Sequence, residues 1–138
     1  MTIEHQISWL IEGHIVLSIS PEESSAEDML ALDAEYIKYL DQAQDDQLHF
    51  IFDLSHQKTM PPLKAMNAMK FMQHPEFGWS VIVGGLHPLV KTLVTLVGKI
   101  QRGRFRIMDT TEDAHEFLLA MYPAIKEDII PESEDVDR

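Results

Sequence analysis

The stretch from His49 to Pro62, HFIFDLSHQKTMPP, decides the fold. Leu48 to Leu54 is a compact apolar run without clean alternation, the pattern of a strand covered on both faces. It runs out into a polar loop where Ser55 and His56 stand side by side, and a double proline follows. Proline is tolerated in the first turn of a helix, so a helix is expected from about Pro61-Pro62. Leu63, Met66, Met69 and Met72 form its expected apolar stripe, and His74-Pro-Glu-Phe-Gly78 ends it. The four methionines of residues 60–72 suit core filling, and they also suit an adaptable apolar groove.

Upstream, ISWLIEGHIVLSI (residues 7–19) splits at Glu12-Gly13 into two short strands. Ile7, Trp9 and Ile11 alternate on one arm, and Ile15, Leu17 and Ile19 on the other, which predicts a hairpin with Gly13 supplying a positive φ. Met29, Leu32, Tyr36, Leu40 and Ala43 recur at helical steps, with Ser20 or Ser25 as cap and acidic residues in the first turn. Downstream, Trp79 to Val83 is a second buried strand, closed by Gly84-Gly85. Residues 87–101 read as a helix, Phe105 to Met108 as a last strand, and Thr110 or Thr111 as the cap of a final helix. Ala114, Phe117, Leu118 and Met121 are its expected inward face.

The predicted order is ββαβαβαβα. Strands alternating with helices imply right-handed crossovers and one mixed, mainly parallel α/β sheet of about five strands with four helices. The expected organisation is one domain over residues 1–125, followed by an acidic C-terminal tail over 126–138.

Composition narrows the function classes. The 138 residues include no cysteine, which removes disulfides, thiolate chemistry and cysteine zinc sites. The opening MTIEHQISWLIEGH lacks the basic start and apolar core of a secretory signal, and the most apolar segment, 79–98, carries His87, Pro88 and Lys91. A cytoplasmic protein that spans no membrane is the expectation. Net charge is −12, unevenly laid out. Residues 1–56 hold 12 acids and one base, 57–108 one acid and eight bases, and 109–138 ten acids and two bases. An acidic total argues against nucleic-acid binding, which rests on phosphate neutralisation. The basic middle either pairs with acidic neighbours of its own fold or faces an acidic partner.

In open α/β sheets ligands gather at the carboxyl ends of the parallel strands. Those loops read Asp53-Leu-Ser-His-Gln-Lys-Thr59, Gly84-Gly-Leu-His87 and Asp109-Thr-Thr111. Ser55 with a histidine and an aspartate supplies the residue types of a hydrolase triad, but Gly-x-Ser-x-Gly is absent and adjacent Ser55 and His56 side chains diverge. The expected role of Ser55 is a hydroxyl that satisfies loop amides. The seven histidines are scattered, with no HExxH, so no metal and no cofactor is expected. Gly84-Gly85 before a helix resembles half of an anion cradle, with Lys91 as its candidate cation.

The element order, the strand ending Phe50-Ile-Phe-Asp-Leu-Ser55, and the closing Phe105-Arg-Ile-Met-Asp-Thr-Thr-Glu-Asp-Ala-His-Glu-Phe-Leu118 together resemble the STAS superfamily, the anti-sigma-factor-antagonist and sulfate-transporter regulatory fold. The resemblance covers most of residues 6–122 and extends to lipid-pocket relatives of that fold. It implies a non-enzymatic regulatory module that binds a protein partner. The family's phosphorylation switch lies just beyond Asp-Leu-Ser, in an Asp-Ser-Ser-Gly; here Met60-Pro-Pro-Leu63 stands in its place, so the switch is not carried over. Candidate partner- or ligand-binding residues are Ser55, His56, Thr59, Lys64, Gly84, Gly85, His87 and Lys91. The alternative is a carrier or sensor of a small apolar, lipid-like or anionic ligand, favoured by a long cavity flanked by Met66, Met69 and Leu93. A homodimer is compatible with either reading.

Overall fold

A computed structural model describes residues 5–43, 47–58, 63–84, 104–123 and 125, the side chains of Leu63, Met66 and Asn67 aside. Strands β1 (Gln6–Ile11) and β2 (Ile15–Ile19) form the expected antiparallel hairpin. Its turn closes with the His14 amide donating to the Ile11 carbonyl at 3.0 Å, and Gly13 adopts φ 80°. Helix α1 (Ala26–Leu40) follows. Ser25 caps it reciprocally: its hydroxyl accepts from the Asp28 amide and the Asp28 carboxylate accepts from the Ser25 amide. Then come β3 (Leu48–Asp53), the short α2 (Leu63–Ala68), a 3-10 turn over Phe71–Gln73, β4 (Phe77–Val83), β5 (Phe105–Met108) and α3 (Thr111–Met121). Thr110 caps α3 through the Asp113 amide. The predicted helix over 87–101 and the acidic tail lie outside the described residues.

The five strands lie in the order β1-β2-β3-β4-β5, and every pair from β2 onward is parallel. The expected mixed, mainly parallel sheet is therefore the architecture. Side chains from β3 serve two cores. Phe50 joins Val16, Tyr36, Leu40, Leu48, Phe71 and Phe77 on the α1 face. Ile51 joins Ile11, Ile15, Val81, Val83, Ala114 and Leu118 on the α3 face. Leu48 to Ile51 are all buried, which is why the sequence there shows no alternation.

Three expectations are corrected. First, Ile7, Trp9 and Ile11 do not share a face. The β1–β2 register shifts between Trp9 and Ile11, so Ile7 and Trp9 pack on the α1 side while Ile11 joins the α3 core. Second, the buried stripe of α1 is Met29, Asp33, Tyr36 and Leu40; Leu32 is half-buried at its edge and Ala43 lies beyond the helix end. Third, no single helix carries Leu63 through Met72. The Asp33 carboxylate, only 9% exposed, reaches across and accepts the backbone amides of Lys70 and Phe71, both at 2.9 Å. In a continuous helix those two amides would bond to carbonyls four residues back. Captured by Asp33, they end α2 at Ala68 and turn the Phe71 ring into the core, 4.5 Å from that of Tyr36. On α3, Ala114 and Leu118 face inward as expected, whereas Met121 is exposed.

β4 begins two residues earlier than expected, because His49 makes room for it. The β3–β4 register slips between Leu48 and Phe50, and His49 Nδ1 accepts the Trp79 amide at 3.0 Å, satisfying a group at the irregularity. A Cβ on Gly78 would run into the His49 ring, so this close approach requires glycine. Tyr122 stacks on the imidazole at 4.4 Å, and its hydroxyl accepts from Trp79 Nε1 and donates to Gln47. Burial, with His14 and Arg104 nearby, pushes the His49 pKa down to about 4.

Asp33→Ala is expected to cost roughly 2–4 kcal/mol in urea unfolding, since two buried amides lose a charged acceptor; Asp33→Asn, which keeps an acceptor oxygen, should lose clearly less. His49 generates a pH dependence of defined sign. The unfolded chain protonates it near pH 6.5, whereas the fold delays protonation to about pH 4. Its contribution is complete above about pH 6.5, falls as pH drops towards 4, and loses nothing further below that. The full loss is on the order of 3 kcal/mol. His49→Gln, whose side-chain oxygen can still accept from Trp79, should flatten a large part of that decline in the urea midpoint.

Candidate functional site

The parallel register places Ile19, Asp53, Val83 and Met108 in one row across the sheet, so the loops that follow them leave from a common rim. The ladder extends a step further: Ser20 N–H donates to the Asp53 carbonyl at 3.0 Å and Leu54 N–H to the Val83 carbonyl at 2.7 Å. Beyond it the chain turns back on itself. Gln57 N–H donates to the Leu54 carbonyl, and Lys58 is held to Glu22 both by its backbone amide at 2.9 Å and by its ammonium at 3.1 Å. The loops before α1 and after β3 thus form one braced wall.

Ser55 is exposed on this wall, and its amide and hydroxyl both donate to Asp53 Oδ1, at 2.9 and 2.6 Å. This reverses the expected role: the carboxylate satisfies the loop amide, and the serine hydroxyl is its second donor. The arrangement gives Ser55 a hydrogen-bond acceptor in Asp53, and among the described residues no imidazole is hydrogen-bonded to its hydroxyl. Gly84 packs against the same loop; a Cβ there would sit 3.3 Å from the Leu54 carbonyl carbon and 3.4 Å from the Ser55 nitrogen. Ser55 and Gly84 are therefore brought together. His56 is exposed on the loop and Lys64 is exposed on α2, and among the described residues no hydrogen bond or ion pair joins either to that pair. Thr59, Gly85, His87 and Lys91 lie outside the described residues. Among the described residues no cluster of three or more histidine, aspartate or glutamate side chains is placed to hold a metal ion.

Under the rim, between α1 and the sheet, lies an apolar cavity of about 100 Å³. Met29 and Leu32 of α1, Phe52 of β3, and Met69, Phe71 and Met72 beyond α2 form much of its wall. The Asp33 anchor creates this wall by halting α2 and folding the methionine segment over the sheet. His5, Ser20, Ser24 and Gln57 supply polar groups to the lining. Gly84 is not part of it, nor is the cavity long; Met66 and Leu93, expected to flank it, fall among the side chains and residues not described. A neighbouring depression of about 620 Å³ shares His5, Ser24 and Leu32 and is lined by the carboxylates of Glu23, Asp28 and Glu35.

A buried polar chain underlies the cavity. His5 Nε2 lies 2.7 Å from Ser18 Oγ, which lies 2.6 Å from the Tyr36 hydroxyl. Burial pushes the His5 pKa down to about 4 against the opposing charge of Asp28, and burial raises that of Tyr36. Sequence reasoning passed over this group by counting Tyr36 as an apolar helix position. The available signal was a serine within the apolar strand IVLSI and a hydroxyl on the buried stripe of α1, two polar groups that need a partner once buried.

No protein-family model and no curated protein sequence matches the chain. Among solved structures, that of the Bacillus cell fate determinant SpoIIAA in its phosphorylated form superposes with a TM-score of 0.54, covering 83% of this chain and 98% of that one. The chain has the fold of SpoIIAA. At 11% identity the likeness to SpoIIAA is one of fold, and it agrees with the STAS-type architecture expected from the element order. Among the described residues no helix is long and apolar enough to cross a membrane.

Tyr36→Phe is expected to destabilise the protein by about 1–2 kcal/mol, because Ser18 loses a buried partner. In a double-mutant cycle with Ser18→Ala the two losses should fall short of additivity by at least about 0.5 kcal/mol in urea unfolding, as residues in one network do.

Proposed function

We propose that the protein is a non-enzymatic regulatory module that docks a protein partner on the C-terminal rim of its sheet. The observation that carries this reading is the braced wall of residues 54–58: a loop with Ser55, His56 and Lys58 exposed, tied down by Asp53, Glu22 and the Gly84 approach, with Ser55 bonded to a carboxylate. A rigid, exposed loop at a strand-end rim suits recognition, because little ordering entropy is spent when a partner binds. Ser55 and His56 form the centre of the proposed surface, and Lys64 offers a positive charge to an acidic partner. Thr59, Gly85, His87 and Lys91, which follow these loops in sequence, are kept as further candidates. The SpoIIAA fold supports such a role by analogy only. With Met60-Pro-Pro-Leu63 after the loop, the module works without a phosphoserine switch at that position, and it needs no cofactor.

The carrier reading has one observation in its favour, the apolar cavity beneath α1. Its volume suits a small molecule and not a long acyl chain.

The docking reading is tested by affinity capture from the native cell with the wild-type chain and with Ser55→Arg/Lys64→Glu. A specific protein retained by the wild type and lost, by tenfold or more, with the double variant is the expected outcome. Equal retention by both would remove the rim as the docking surface.

A further inference from the structure

Resting on the carrier reading, we infer that the cavity beneath α1 binds a small uncharged amphiphile: an apolar end of four or five carbons among Met29, Phe52, Met69 and Met72, and a hydrogen-bonding end at Ser20 and Gln57. The size follows from volume. An apolar cavity of about 150 Å³ takes a benzene ring and stays dry when empty, so about 100 Å³ holds a somewhat smaller group. The wall is adaptable, because three unbranched thioether side chains line it and can repack around differing shapes.

The polarity follows from the lining. Ser20 and Gln57 are both more than nine-tenths buried and are among the residues that line it, two polar side chains bordering an otherwise apolar surface. Among the described residues no lysine or arginine lines it. Lys58, the cation of the neighbouring loop, is paired with Glu22. The adjoining depression, which shares His5, Ser24 and Leu32 with the cavity, presents Glu23, Asp28 and Glu35. A carboxylate head would meet three like charges at that shared edge, and among the described lining residues no cation offsets its desolvation. A hydroxyl or amide head loses neither. The cavity thus selects against an anionic ligand. Because Leu54 and Gln57 line the cavity and also belong to the rim loop, occupancy would be felt in that loop.

The test uses the full chain carrying ¹³C-methyl methionine, titrated at pH 7 with 1-pentanol and, separately, with pentanoate, which has the same chain length. Saturable shifts of the Met29, Met69 and Met72 methyls with pentanol are expected, with the exposed Met121 methyl unmoved as internal reference. Pentanoate should bind at least tenfold more weakly. Ser24→Phe, which places a ring at the shared edge of cavity and depression, should abolish the pentanol shifts and leave the Met121 resonance in place. Should that variant not fold, the wild-type methyl pattern decides alone. If neither compound gives saturable shifts, the carrier reading itself fails. If pentanoate binds as tightly as pentanol, the carrier reading stands and the inferred ligand class is overturned.

Discussion

The carboxylate of Asp33 is the constraint on which the α1 side of the molecule depends. An acid in the buried stripe of a helix is costly unless its oxygens are bonded, and here one oxygen takes two backbone amides from a segment 37 and 38 residues away. That single contact does three things. It compensates the burial of Asp33, it stops α2 after six residues, and it swings Phe71 into the aromatic core with Tyr36, Phe50 and Phe77. The methionines that follow α2 then lie over the sheet instead of along a helix. The cavity beneath α1 is the space this leaves.

The opposite face is organised by a different compromise. β3 and β4 fall out of register beside His49, and the imidazole repairs the irregularity by accepting the Trp79 amide while Tyr122 covers it. The geometry needs a glycine at 78 and a neutral histidine at 49, which is why burial there goes with a pKa of about 4. By the other ends of the strands the register is regular again, and Ile19, Asp53, Val83 and Met108 align. The rim is orderly because the irregularities are confined to the far end of the β3–β4 pair and to the outer hairpin.

Rim and cavity are neighbours built from the same loop. Ser55 faces outward and is fixed by Asp53, while Leu54 and Gln57 line the cavity. The proposed partner surface and the inferred ligand cavity thus share one loop, braced by Lys58 and Glu22.

Much of the fold was legible in the sequence. The β3 run from Leu48, the Glu12-Gly13 turn, the caps at Ser20 or Ser25 and at Thr110 or Thr111, and the alternation of strands with helices specified a hairpin leading into a parallel sheet, because each is a local signal of period, turn or cap chemistry. The rim was legible for the same reason, since strand ends follow from strand order. What local signals do not encode is pairing between distant residues. Nothing near Lys70 announces that its amide belongs to Asp33, nothing near Trp79 announces that His49 completes its strand, and the β1 irregularity that turns Ile11 to the other core depends on the partner strand. The sequence by itself determined the strands, their order and hence the rim where the parallel strands end. Only the tertiary structure decided where α2 stops, what Ser55 is bonded to and that a cavity lies beneath α1, because each depends on polar groups and volumes brought together from far along the chain.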